Sequence, residues 1–330
     1  MIVGSQIVGS GTGFPSLEMK NSDFESFVET NDEWIRTRTG IETRRIADRK
    51  MGETTLTLAH MAAMNALEMS GVAPSELGLI VMGTVTPDTV MPTTANQLQA
   101  LLGADHAFTF DLQAACSGFL YGLSIADNYI KSGTIETALV IGGDTLSTLI
   151  NWQDRSTCVL FGDGAGAVVL KRSTDPTHRI LSTRLYSDGR YGKLLQVPHG
   201  YGKVPPWTAE YRHDMHKIQM EGREVFKVAV RAMVEASHNI CKENDVTPKD
   251  VDFFFFHQAN MRIIEMCARV LGVEKHKTWL NVNKYGNTSA ATLPVCLDEA
   301  WRSHVVRPGD LILMTTFGGG LTWATSLFRL

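Results

Sequence analysis

From Thr54 to Ser70 (TTLTLAHMAAMNALEMS) apolar residues recur at helical spacing, and the run stops at Gly71. This predicts an amphipathic helix closed by a glycine. A turn at Ala73-Pro74-Ser75-Glu76 leads into the unbroken apolar stretch Leu79-Ile80-Val81-Met82, which ends at Gly83-Thr84. A short apolar run bounded by turn residues predicts a strand buried on both faces. The same order returns far downstream. A helix from about Glu224 to Lys242 leads to the turn Thr247-Pro248-Lys249-Asp250 and then to the strand Phe253-Phe254-Phe255-Phe256, ending at His257-Gln258. Both strands begin five residues after a proline, so His257 falls level with Gly83. Each strand is followed by an Ala-Asn pair, Ala95-Asn96 and Ala259-Asn260, and by a helix closing at Leu-Gly, Leu102-Gly103 and Leu271-Gly272. Further on, Leu139-Val140-Ile141-Gly142-Gly143 is answered by Leu311-Ile312-Leu313 and Gly318-Gly319-Gly320.

The chain therefore reads as two copies of one alternating strand and helix unit, about 1–170 and 171–330. Strands separated by helices imply a largely parallel sheet in each copy. Ligands in such folds collect at the carboxyl ends of strands. On this reading Cys116, His257 and the segment after Asn281 converge, because they occupy equivalent or neighbouring ends of the two copies.

Composition narrows the class. A chain of 330 residues, 44% hydrophobic and 20% charged, is an ordinary globular protein large enough for two domains or one duplicated unit. Its net charge of -4 speaks against general affinity for nucleic acid or membranes. The segment Met1–Gly9 alternates like a first strand and has no signal-peptide pattern, and no apolar run approaches the roughly 20 residues of a membrane span. Five cysteines without a CxxC pair predict a reducing cytoplasm, with neither disulfides nor a metal cage. Residues 199–219 read as an ordered surface loop beside a substrate entrance. The His213-x-x-His216 pair within it lacks a third ligand nearby, so no metal site is predicted.

Candidate chemistry begins at Asp111–Gly122 (DLQAACSGFLYG). Small residues carry Cys116 to the start of a helix-compatible segment, Phe119–Tyr129. Backbone N–H groups and the positive end of the helix dipole favour thiolate there. Alone, a cysteine among alanine and glycine reads first as a small buried hydrophobe. His257, at the end of a buried strand, alone reads as a hydrogen-bonded structural residue. Tyr285-Gly286-Asn287-Thr288-Ser289-Ala290-Ala291 alone reads as a turn and helix cap, yet in the repeat its helix start corresponds to the one bearing Cys116. Phe317-Gly318-Gly319-Gly320 follows a strand, and bare backbone lets an N–H approach a substrate oxygen closely. Together these supply a nucleophile, an imidazole, an amide donor and a backbone oxyanion donor, the parts of acyl transfer through a thioester.

These same segments resemble the condensing enzymes of the thiolase superfamily, and closely the beta-ketoacyl-[acyl-carrier-protein] synthase III family: AACSGF around Cys116, His257-Gln258-Ala259-Asn260, Gly286–Ala291 and Phe317–Gly320. Asn31–Ile41 (NDEWIRTRTGI), and Asp154-Arg155 ahead of Phe161–Ala167 (FGDGAGA), extend the resemblance over essentially the whole chain. It implies an α/β, thiolase-like fold in which two duplicated strand/helix halves form α-β-α-β-α layers. It also implies a decarboxylating Claisen condensation of a short acyl-CoA, first of all acetyl-CoA, with malonyl-[acyl carrier protein], initiating type II fatty acid synthesis.

By the same resemblance Cys116 carries the acyl group, and the N–H groups of Cys116 and Gly319 hold the thioester oxyanion. His257 and Asn287 donate to the enolate oxygen. Acyl-CoA is a substrate, and neither cofactor nor metal is implied. Thr30, Trp34, Arg38, Arg155 and Asn260 would bind CoA, with Trp34 and Arg155 sandwiching the adenine and Arg38 near a phosphate. Arg223, Lys227 and Arg231 form one basic stripe on a helix; Lys227, with Arg262 and Arg269 of the next helix, would dock the acidic carrier protein. Where many short-chain members have phenylalanine before a proline, this chain has Met91-Pro92. Methionine adapts its shape, so longer or branched primers are admitted more readily. A Met91 that lines the neighbouring subunit's acyl tunnel would require a homodimer.

Two other readings stay open at this stage. One is a secondary-metabolism relative with another primer or acceptor; the other is a non-catalytic carrier-binding scaffold. The joint presence of Cys116, His257 and Asn287 argues for an enzyme. No Walker pattern or compact ligand cluster supports nucleotide hydrolysis or metal chemistry.

Overall fold

The computed structural model describes residues 4–175, 177–198 and 212–330. Most of the predicted entrance loop, residues 199–211, lies outside the described residues, as does the side chain of His213. The chain runs through β1 Gly4–Gly13, β2 Leu17–Lys20, α1 Asp32–Thr39, β3 Thr43–Ile46, α2 Thr55–Ser70, β4 Leu79–Gly83, α3 Thr94–Leu102 and β5 Phe108–Leu112. It continues through α4 Gly118–Lys131, β6 Thr137–Thr145, α5 Arg155–Cys158 and β7 Asp163–Ser173. Then follow β8 Arg179–Ser187, β9 Leu195–Gln196, β10 Gln219–Met220, α6 Gly222–Glu243, β11 Phe253–Phe256, α7 Met261–Leu271, α8 Val282–Tyr285, α9 Thr292–Arg302, β12 Leu311–Gly318 and β13 Thr322–Arg329.

Local chemistry sets the ends of these elements. Thr54 caps α2 by accepting a bond from the Thr57 N–H, and Gly71 closes it in the left-handed conformation. The helix therefore starts one residue after the apolar pattern does.

Strand order runs β1-β7-β6-β4-β5 in one sheet and β8-β13-β12-β11 in the other, so four strands of the first copy have counterparts in the second. The second copy reduces the place of β5 to a bridge between Phe254 and Thr278. Among the named strands only β4 with β5 and β6, and β11 with β12, pair parallel, all toward one edge of each sheet. The expected largely parallel sheets are thus mixed. β13 follows β12 after a tight reversal at 319–321 and pairs with it antiparallel, because a connection that short cannot make a parallel crossover.

Helices α2 and α3 pack on the outer face of the first sheet, and α6 covers that of the second, with α7 against α6. Helices α4 and α9 touch strands of both sheets and form the central layer. Side chains alternate accordingly. Leu79, Val81, Phe253 and Phe255 join Phe119, Leu123, Leu293 and Leu297 in the central core. Ile80 and Met82 face α2 and α3, whereas Phe254 and Phe256 face α6 and α7. Full burial of each such side chain contributes about 1.5–3 kcal/mol. The result is a rigid middle layer, and the residues of interest stand at the start of its two helices.

Candidate active site

The two central helices begin alike. Ala115–Ser117 forms a 3-10 turn ahead of α4, and Ser289–Ala291 forms one ahead of α9. Each turn opens on a non-glycine residue in the left-handed region, Ala115 at φ 46° and Ser289 at φ 55°. Such residues are uncommon and persist where surrounding structure holds them. The turns correspond residue for residue, so Cys116 in one copy matches Ala290 in the other.

Cys116 borders a cavity of about 1020 Å³, lined also by Val85, Val90, Phe161, Ser289 and Gly319. Residue 116 is half-buried, but its thiol lies deep beneath the surface. Burial pushes the thiol up to about 12; the Ser289 hydroxyl opposes the shift, and the Asp144 carboxylate adds to it. Desolvation thus works against the thiolate that a helix start favours. Asp144 is itself buried and pushed above the usual carboxylate range. Its Oδ1 accepts from the Thr84 and Thr86 hydroxyls at 2.9 and 3.0 Å and from the Val85 N–H at 2.7 Å.

Strand β12 ties the two halves together at this point. The Thr316 hydroxyl donates to the Cys116 carbonyl at 3.0 Å. The His257 N–H donates to the Thr315 carbonyl at 2.9 Å. A Cβ on Gly318 would stand 2.7 Å from the Cys116 nitrogen, so only glycine leaves that N–H unobstructed. Gly319 and Gly320 line the cavity, and the Thr322 hydroxyl is shared between the Gly319 and Ala114 carbonyls.

His257 is buried, which drives its imidazole down to about 3 and keeps it neutral. Its Nδ1 lies 2.7 Å from the Thr292 hydroxyl, the first residue of α9. Asn287, also buried, accepts the Ser289 N–H on Oδ1 at 2.8 Å. That bond orients the amide and leaves its Nδ2 as the donor. The backbone of Asn287 is pinned from both sides, its N–H to the Leu160 carbonyl and its carbonyl to the Gly162 N–H. The turn carrying Ser289 packs on the turn carrying Cys116, so Cys116, His257, Asn287 and the glycine run share one frame of β12 and the two helix starts.

A second group forms apart from the lining of this cavity. Asn31 caps α1 by accepting the Trp34 N–H, and two guanidinium groups pack on the half-buried Trp34 ring, Arg38 at 4.5 Å and Arg155 at 4.6 Å. Arg155 also donates to the Glu29 carbonyl at 2.8 Å. The Asn260 amide donates to the Arg38 carbonyl and caps α7, and the buried Thr30 hydroxyl has no partner among the described residues. All five predicted CoA residues thus lie in one neighbourhood. Met91 is 86% exposed and stands outside the lining of the chain's own cavity, which takes Val90 instead. Lys227, Arg262 and Arg269 are exposed on the adjoining helices α6 and α7, with Lys227 paired to Glu224.

Thr292, Ser289, Asp144 and the close approach of Gly318 were not singled out from sequence. The alignment of the two helix starts could have drawn attention to Ser289; Thr292 and Asp144 act through contacts far along the chain.

Two family descriptions match the chain: 3-oxoacyl-[acyl-carrier-protein (ACP)] synthase III over residues 110–189, and its C-terminal counterpart over 241–330. Beta-ketoacyl-[acyl-carrier-protein] synthase III of Aquifex aeolicus is 47% identical over 328 residues, covering 99% of this chain and all of that protein. The crystal structure of 3-oxoacyl-[acyl-carrier-protein] synthase III from Aquifex aeolicus superposes with a TM-score of 0.91 at 46% identity, covering 99% of this chain and 100% of that one. The priming beta-ketosynthase of the R1128 polyketide biosynthetic pathway also reaches 0.91, at 35% identity over 98% of this chain and 96% of that one. With its thiolase-like layers, its duplicated helix starts and this full-length similarity, the chain belongs to the beta-ketoacyl-[acyl-carrier-protein] synthase III family.

Proposed function

We infer that this protein is the acyltransferase that opens type II fatty acid synthesis, condensing a short acyl-CoA with malonyl-[acyl carrier protein] to 3-ketoacyl-[acyl carrier protein]. Similarity near 45% along the whole length of curated relatives of that name supports the activity. The observation that carries the site is the shared frame around Cys116: this residue lines the cavity, Gly318 leaves its N–H unobstructed, and the neutral His257 imidazole and the oriented Asn287 amide are held by the same strand and helix starts.

In this reading Cys116 attacks the acyl-CoA thioester, with the N–H groups of Cys116 and Gly319 on the oxyanion. The exchange is proton-neutral: Cys116 gives up one proton and the departing CoA sulfur takes one. The malonyl thioester then loses carbon dioxide, and the enolate oxygen takes hydrogen bonds from the His257 imidazole and Asn287 Nδ2. Its carbon attacks the acyl-Cys116 carbonyl, the carbon–sulfur bond breaks, and a solvent proton restores the thiol. Halves of about 1–170 and 171–330 divide this labour, one loading the acyl group and the other handling decarboxylation. The passage from β7 to β8 near that boundary supports the division. Trp34, Arg38, Arg155, Thr30 and Asn260 hold CoA, where the unpartnered Thr30 hydroxyl is suited to a ligand.

The exposed Val90 and Met91 suit burial against a second copy, giving a homodimer in which Met91 lines the partner's acyl tunnel. A cytoplasmic location agrees with five free cysteines and with the absence of a helix long and apolar enough to cross a membrane among the described residues. The direct test supplies acetyl-CoA and malonyl-[acyl carrier protein]: an acyl adduct on the intact protein and a 3-ketoacyl product are expected. Transfer of the acyl group to another acceptor, with no use of the malonyl thioester, would refute the assignment.

For the carrier protein, Arg262→Glu is expected to raise KM several-fold, on the scale of about 1 kcal/mol for a surface charge, and to leave hydrolysis of a simple thioester alone. An unchanged carrier-dependent KM would move the docking face elsewhere.

A further inference from the structure

Thr292 stands behind His257, at the first position of α9, and is buried. Its hydroxyl has one proton and two neighbours able to accept it, His257 Nδ1 at 2.7 Å and the Ser289 carbonyl at 3.2 Å. The Ser289 carbonyl already receives the backbone N–H of Thr292, so losing the hydroxyl would not leave it unsatisfied. Nδ1 has no second partner among the described residues. A buried polar atom is costly to leave unpaired, and the shorter contact is the one to the ring. Because the imidazole is neutral, it carries a single N–H, and what occupies one nitrogen decides what the other can do.

We propose that Thr292 is a positioning residue for the condensation: its hydroxyl donates to His257 Nδ1 and thereby holds the imidazole with its proton on Nε2. The ring then offers a donor to the enolate oxygen and has no free lone pair there with which to act as base toward Cys116. No proton moves in the decarboxylation itself; the hydrogen bond to the developing oxyanion strengthens as carbon dioxide departs. This proposal rests on the assignment of His257 as the enolate donor, and it narrows that role to one tautomer.

The test uses the full-length protein. Ring-labelled wild type, examined by nitrogen-15 resonance, is expected to show a protonated Nε2 and a bare Nδ1, unchanged between about pH 5 and 8, where an ordinary histidine titrates. Thr292→Val keeps the shape and removes the donor. Its malonyl-thioester decarboxylation is expected to fall about 10–100-fold, the scale of leaving one buried acceptor unpaired, while acyl loading of Cys116 from acetyl-CoA holds. Thr292→Ser is expected to restore the rate. A proton on Nδ1, or a folded Thr292→Val that decarboxylates at the wild-type rate, overturns the proposal. So does an equal loss of loading and decarboxylation that serine does not rescue, which would mark a merely structural threonine. Should the valine protein fail to fold, the wild-type spectra decide alone. If wild type does not decarboxylate a malonyl thioester at all, the condensing role falls, and the tautomer is still read separately.

Discussion

Cys116→Ala protein incubated with acetyl-CoA is expected to keep its unmodified mass, and its condensation rate to fall on the order of a million-fold, the scale of losing a covalent nucleophile. Thioester exchange needs the sulfur both to receive the acyl group and to release it. Alanine at 116 leaves the backbone N–H, Gly319 and the His257–Asn287 pair in place, so decarboxylation of a malonyl thioester should remain measurable. The pair of readouts separates two jobs that one overall rate would merge. An acyl group found covalently on any other residue of the Cys116→Ala protein would sink the nucleophile assignment. Burial raises the Cys116 thiol while the helix start favours thiolate, so the pH dependence of acyl loading reads which of the two prevails.

The second large effect lies across the site. His257→Ala and Asn287→Ala are each expected to lower decarboxylation by about 100–1000-fold, roughly 3–4 kcal/mol for one oxyanion donor. Acyl loading should survive in both. The double variant should lose less than the product of the two, because both donors serve one oxygen. Neither rate should show an imidazole titration between about pH 5 and 8, since burial takes His257 to about 3. Retained decarboxylation in Asn287→Ala, with its fold intact by circular dichroism, would place the enolate oxygen elsewhere.

Much of the architecture was legible because buried strands announce themselves. The short apolar runs Leu79–Met82 and Phe253–Phe256, bounded by turn residues, read as interior strands, and their equal distances from a proline exposed the duplication. The antiparallel return of β13 was not legible, since Phe317–Leu321 reads as a loop until the strand behind it is seen. The chemistry divided in the same way. Cys116, His257 and Asn287 stand in short local motifs, whereas Thr292 matters through a ring that is remote in sequence. Asp144 reads simply as the end of a strand. At Cys116 the helix start is written locally, while the desolvation that works against a thiolate comes from many distant segments.

The paired turns have one more consequence. Ala290 occupies in the second copy the position that Cys116 holds in the first, but it is fully enclosed. A Cβ on Gly142 would stand 2.3 Å from the Ala290 carbonyl, and Ala290 is only 1% exposed. The first turn sets Cys116 on the cavity, whereas the equivalent position of the second is closed and carries no nucleophile, so a single acyl equivalent per chain is expected, however large the excess of acyl-CoA.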